Sequence, residues 1–174
     1  MTKKKMTKKE LSEKIQAISE SHIDANHDTG SVWQQKHALL VNQYIESYPN
    51  STLSDDDTAA LIFALNTDLQ VRDYAMGLIQ ATDNHYQAWY ALMTRAPMRY
   101  KSAQACLASN VRYEQGITAD AVMLLANATS AYPLAKLLQR VYAAGWEPKS
   151  FTAMREELHP KIVAGIFNSE EVDA

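Results

Sequence analysis

The side chains most suited to binding lie in an interval that contains no acidic residue. No Asp or Glu occurs between Asp83 and Glu114. Basic and aromatic residues alternate there instead: His85, Tyr86, Trp89, Tyr90, Arg95, Arg99, Tyr100, Lys101, Arg112 and Tyr113. Interleaved cations and rings can follow a phosphate backbone and stack on bases, and an acidic protein would suit the same surface.

A second interpretation of this interval stays open. The aromatic residues also fall at helical spacing, which is typical of a buried stripe, and the cations would then form a solvated face. If the interval does bind a partner, the candidate binding residues are Arg95, Arg99, Tyr100, Lys101 and Arg112.

Residues that could perform catalysis lack the neighbours that catalysis needs. The lone cysteine, Cys106, sits in an Ala/Leu-rich run, where a small buried thiol is expected and no local motif supplies a base. The adjacent Arg72 and Asp73 could act in catalysis. The favoured interpretation is an arginine–carboxylate ion pair that orients neighbouring helices. We therefore predict no catalytic residue and no cofactor, and an enzyme is the less favoured class.

Two groups of side chains raise the question of a metal ion. The segment "HIDANHD" contains His22, Asp24, His27 and Asp28, which are ligand types that zinc accepts. His22 and His27 are five residues apart and so lie off a single helical face, and we predict no metal here. The aspartates 55–57 follow Ser54 and are predicted to lie in the first turn of a helix. Carboxylates there interact favourably with the positive end of the helix dipole, so the sequence favours helix capping over a metal site.

These candidates must be positioned by helices, because apolar residues recur at a period near 3.6 along the chain. The pattern predicts an all-α single domain of about eight to ten helices, arranged as an orthogonal or solenoid-like stack of helix pairs. The helix in "GITADAVMLLANATSA" is apolar on almost every side, so we expect it at the centre of the core, with Leu125 fully buried. Two short helices, "SFTAMREEL" and "PKIVAGIF", are expected to end the fold.

The two ends of the chain differ in charge. Residues 1–6 begin a lysine-rich stretch and are predicted to form a disordered basic head, while residues 168–174 are predicted to form an acidic mobile tail. Residues 7–167 would be the helical domain. A net charge of −3 and the lack of an apolar signal segment predict a cytoplasmic protein without a membrane partner.

Four motifs give the chain a family resemblance. They are "LSDDDTAALIFAL", "VRD" at Val71–Asp73, "TRAP" at Thr94–Pro97, and "YPLAKLLQRVYAAGWEP". Over residues 53–151 the chain resembles the C-terminal helical part of the actinobacterial family called domain of unknown function 4192. The resemblance implies a compact helical domain, a short version of the family, and a bacterial or phage-related cytoplasmic setting.

The leading expectation is a small helical interaction or adaptor protein without catalytic activity, which binds a protein partner or a second copy of itself. The alternative is a nucleic-acid-binding accessory protein that uses the basic and aromatic patch at 85–113. Steep salt dependence would identify the second class, because phosphate contacts release counterions.

Overall fold

The computed structural model describes residues 4–24 and 30–167, and its secondary structure there is helical throughout. The α-helices of this described part are α1 (Lys8–Asp24), α2 (Ser31–Ser47), α3 (Asp55–Thr67), α4 (Leu69–Gly77), α5 (Asp83–Arg95), α6 (Ser102–Glu114), α7 (Thr118–Leu124), α8 (Pro133–Ala143) and α9 (Pro148–Phe167). Short 3₁₀ turns lie at Met98–Tyr100 and Leu125–Asn127. The predicted all-α single domain is confirmed.

The helix starts follow the local chemistry of the chain. Before α1, Thr7 N donates to Glu10 Oε2 over 2.7 Å and Glu10 N donates to Thr7 Oγ1 over 3.2 Å, which is a reciprocal capping box. Ser54 accepts a hydrogen bond from Asp57 N at the start of α3. These side chains satisfy backbone donors that the first turn of a helix leaves unpaired.

The centre of the core is α6, not α7 as the sequence pattern suggested. Residues 102–111 of α6 are all buried, whereas α7 exposes Val122 and 72% of Met123. Helix α6 lies between two hydrophobic clusters, one built mainly from α1–α5 and one from α7–α9. Its residues are mostly small, so neighbouring helices can approach it from several sides, and a composition of Ala, Ser and Cys hides that position from a hydrophobicity count.

The C-terminal segment is also different from the prediction of two short helices. Helix α9 runs without interruption from Pro148 to Phe167 and contains Pro160 in its interior. It packs on α4, α2 and α6. Contacts on both sides of Pro160 therefore hold one helix where the local signal for a break is strong.

The predicted boundaries at the chain ends can be compared only in part. Met6 is buried in the main cluster, so core packing starts inside the segment that was expected to be a disordered head. Lys4 and Lys5 are exposed. Residues 1–3 and the predicted tail at 168–174 lie outside the described residues.

Helices α4 and α9 lie very close together at Gly77. A Cβ atom on Gly77 would lie 1.9 Å from Nδ1 of His159 and 2.5 Å from its Cγ, so the imidazole ring fills the space of a side chain. Gly77→Ala is therefore expected to lower the free energy of unfolding by about 1–3 kcal/mol through overpacking. Chemical denaturation measures the change.

Two further variants test that explanation. His159→Ala in the Gly77→Ala background should recover most of the loss, because the clashing ring is gone. Gly165→Ala is the matched helical control, since its new Cβ would meet only Gln70 Oε1 at 3.8 Å. A Gly77→Ala protein as stable as Gly165→Ala would contradict the packing described here.

Candidate interaction surface

The five predicted binding residues fall at two ends of the α5–α6 pair. Arg95 ends α5, Arg99 and Tyr100 belong to the 3₁₀ turn, and Lys101 directly precedes α6. Arg112 lies in the last turn of α6. Arg112 lies eleven positions after Lys101, which is about 16 Å along a helix. The interval is therefore not one continuous patch.

Arg112 takes part in packing at the far end of this pair. Its guanidinium carbon lies 3.5 Å from the ring centroid of Tyr86, and Nη1 lies 3.3 Å from Asp83 Oδ1. Nε is 4.0 Å from Asp120 Oδ2 on α7. Carboxylates from just outside the acid-free interval thus meet the charge of Arg112, and the side chain ties α5, α6 and α7 together.

Tyr100 anchors the turn to the core. It is buried, and its ring centroid lies 6.2 Å from that of Phe63 on α3. Trp89 and Tyr113 of the same interval are buried too. Tyr100, Trp89 and Tyr113 are thus core residues, as the second interpretation of the interval predicted, whereas Tyr90 is 39% exposed.

Asn66 of α3 holds the turn in place. Its Nδ2 donates to the Tyr100 carbonyl over 3.0 Å and to Gln104 Oε1 over 2.9 Å. Its Oδ1 accepts from Ala103 N over 2.9 Å. Sequence reasoning missed this residue, because a single Asn near the end of a helix carries no signal of its role. The result is a rigid support for the exposed side chains beside it.

The exposed part of the turn is basic and carries one long apolar side chain. Met98 is 78% exposed and Arg99 is exposed, while Lys101 is partly buried. Partial burial, and then the neighbouring Lys8 ammonium, lower the pKa of Lys101. Lys8 at the start of α1 therefore lies near Lys101, which directly precedes α6. We call Lys8, Arg95, Met98, Arg99 and Lys101 the basic turn.

The cations of the basic turn have no carboxylate partner among the described residues. The ion pairs in the described part of the chain involve other cations, namely Lys9, Lys14, Arg72, Arg112 and Arg155. Two lysines held side by side without a counter-charge repel each other, and an anionic partner would relieve that repulsion. The chemistry available at this surface is the binding of negative charge.

The residues that the sequence offered for catalysis, Cys106 and the Arg72–Asp73 pair, lie in α6 and α4, outside the basic turn. Burial raises the pKa of Cys106 to about 12, which makes a nucleophilic thiolate unfavourable near neutral pH. Arg72 Nη2 lies 2.8 Å from Asp73 Oδ1 within α4, so this pair joins neighbours in one helix and not two helices. Arg72 instead reaches Tyr132, whose ring centroid is 5.8 Å from its guanidinium carbon.

The possible metal ligands are not gathered in the described part of the chain. His22 packs its ring 5.6 Å from Trp33 and 5.4 Å from Phe63, and His27 lies outside the described residues. Asp56 pairs with Lys14 at 2.6 Å. Over residues 4–24 and 30–167, no group of three His, Cys, Asp or Glu side chains could hold a metal ion.

None of the described helices has the length and apolar character needed to cross a membrane.

Residues 2–149 match the model of the family described as "Domain of unknown function (DUF4192)". The match starts much nearer the N-terminus than the resemblance over 53–151 suggested. No curated protein and no solved structure matches the chain.

Proposed function

Because the chain belongs to the family of domain of unknown function 4192, whose name states no activity, we propose a function from the surface itself: a small, cytoplasmic, non-catalytic helical interaction protein. Its basic turn binds an acidic segment of a partner protein. The observation that carries this proposal is the exposure of Arg99 and Met98 on a turn whose cations have no carboxylate partner among the described residues.

The composition of the basic turn supports a protein partner. Arg and Met are enriched at protein interfaces, and Met adapts its shape to different partners. A single-stranded nucleic acid would instead need exposed rings for stacking, and Tyr100 is buried. The nucleic-acid alternative therefore rests on phosphate contacts and on Tyr90, which is 39% exposed.

Charge reversal of the turn tests the proposal. Arg99→Glu combined with Lys101→Glu should weaken binding of a fluorescent poly-glutamate peptide by about tenfold or more, which corresponds to about 1.4 kcal/mol. Fluorescence anisotropy at low salt measures this. The thermal melt should hardly change, because Arg99 is exposed and Lys101 is only partly buried, and surface substitutions usually have small effects on stability.

A control variant separates the turn from net charge. Lys36→Glu with Lys149→Glu makes the same change in charge at exposed positions elsewhere, and it should bind poly-glutamate nearly as the wild type does. A mixed-sequence DNA duplex tests the alternative. Tight duplex binding that falls steeply with salt, without poly-glutamate binding, would favour a nucleic-acid function. Absence of binding to either probe would make the turn a solvated face.

A further inference from the structure

An apolar groove opens between α8 and α9 and uses none of the residues of the basic turn. Its floor is formed by residues of α4, namely Met76, Gly77 and the ion pair of Arg72 with Asp73. The side chains of its two walls are Leu134, Leu137 and Leu138 from α8 and Phe151, Met154, Arg155, Leu158 and Ile162 from α9. The cavity has a volume of about 180 Å³.

The size of this cavity restricts what can occupy it. Ligand pockets for small molecules usually enclose roughly 300–1,000 Å³. An apolar cavity of about 150 Å³ lined by Leu, Ile and Phe accepts benzene. The groove therefore suits a single apolar side chain, such as the anchor residue at the centre of a protein interface.

The walls of the groove lack a covering element in the described part of the fold. Helix α8 packs on α6 and α7, while α9 packs mainly on α4 and α2. Leu137 at the top of one wall is 54% exposed, and Leu158 at the top of the other is 45% exposed. Two exposed leucines facing one apolar cavity form a surface that gains from being covered.

The charges beside the two walls differ in sign. Arg140 lies three residues after Leu137 and so on the same flank of α8. Lys136 lies one helical turn before Arg140. Glu157 lies three residues after Met154 on the flank of α9. Lys161 follows Glu157 by one helical turn, toward the far end of the groove. The wall of α8 is therefore basic, and the middle of the α9 wall is acidic.

The charges of the groove are self-complementary, because the basic α8 wall of one copy can face the acidic part of the α9 wall of another copy. A twofold axis along the groove would place α8 of one copy over α9 of the other. Arg140 and Lys136 would then face Glu157 of the partner copy, while a partner leucine would reach the cavity. The opposite axis, across the groove, would put the basic α8 walls together and is disfavoured by repulsion.

We propose that the groove is a self-association surface, in which two copies pair α8 with α9 around this twofold axis and Leu137 of each copy fills the cavity of its partner. The occupant is thus a second copy of this chain. The contact is isologous, so two copies close the assembly and no filament results.

Sedimentation velocity across a range of concentrations tests the proposal. The wild-type chain should show a reversible monomer–dimer equilibrium. Leu137→Glu should weaken dimerisation by at least about tenfold, because it places a charge in an apolar cavity. Leu137→Ser serves the same purpose if Leu137→Glu lowers the melting temperature. Leu39→Glu on α2 is the control for an exposed leucine and should leave the dimer intact.

A charge exchange identifies the partner surface. Arg140→Glu and Glu157→Arg should each weaken the dimer, and the two together should restore it, because opposite charges face each other again. A wild-type chain that stays monomeric, a dimer that tolerates both Leu137 variants, or a combined variant no stronger than the single ones would overturn the proposal. Poly-glutamate binding by the basic turn is measured separately, so the failure of one proposal leaves the other intact.

Discussion

Arg155→Met is expected to lower the free energy of unfolding by about 3–5 kcal/mol, the largest effect of any single change considered. The Arg155 and Glu114 side chains are only 5% and 1% exposed. Arg155 Nε lies 3.0 Å from Glu114 Oε2, and Nη2 lies 2.8 Å from Oε1, so the two groups form a bidentate pair. Removal of the guanidinium would leave a carboxylate buried without its cation.

The same arginine also closes the end of a helix. Its Nη1 donates to the Gly77 carbonyl over 3.0 Å and to the Met76 carbonyl over 3.3 Å, at the last turn of α4. Thr152 donates to Glu114 as well. One side chain of α9 thus links α6 to α4, and its loss should affect the whole fold and not a single contact.

A double-mutant cycle followed by urea unfolding measures this pair. Glu114→Leu together with Arg155→Met should be more stable than Arg155→Met alone, because no charge is then left buried and unpaired. Lys14→Met is the matched control: its ion pair with Asp56 is as short but exposed, and a much smaller change is expected. Simple additivity of Glu114→Leu and Arg155→Met would contradict the coupling.

Leu125→Ala should lower the free energy of unfolding by about 2–5 kcal/mol through lost contacts and a residual cavity. Leu125 lies in the 3₁₀ turn after α7 and is buried in the second hydrophobic cluster with Leu134 and Leu138. Met123→Ala, two residues earlier, removes an exposed side chain and should change stability by no more than about 0.5 kcal/mol.

Thermal and urea unfolding of these two variants distinguish the sequence pattern from the structure. A helix buried on all sides would make both substitutions costly. The exposed Met123 predicts that only Leu125→Ala is costly, and equal losses in the two variants would contradict the observed placement of α7.

The helical class and several helix ends follow from local chemistry and were predictable from the sequence. The residues that set these helix ends act on backbone only a few positions away; they are Thr7 with Glu10, Ser54, Pro133 and Gly145. Ser54 caps α3 and Pro133 starts α8. Gly145, with a φ of 69°, takes the left-handed conformation after α8 that favours glycine. Such signals need no knowledge of the rest of the fold.

The central position of α6 and the continuity of α9 depended on tertiary packing. Small residues in α6 are buried because helices from both clusters surround it, and that environment cannot be seen in a hydrophobic period. Helix α9 passes through Pro160 because both of its halves are held by packing: Phe151 and Arg155 before the proline and Ile166 after it are buried. Contacts with distant parts of the chain decide both features, and in α9 they outweigh the local signal of a proline.

The sequence by itself determined the composition of the candidate site, and the tertiary structure decided which of its members act together. The absence of acids from 84 to 113 was visible, but only the fold brings Asp120 to Arg112 and Lys8 to Lys101. The physical reason is range: capping and helical period act over a few residues, whereas charge pairing and burial depend on distances in space between residues far apart in the chain.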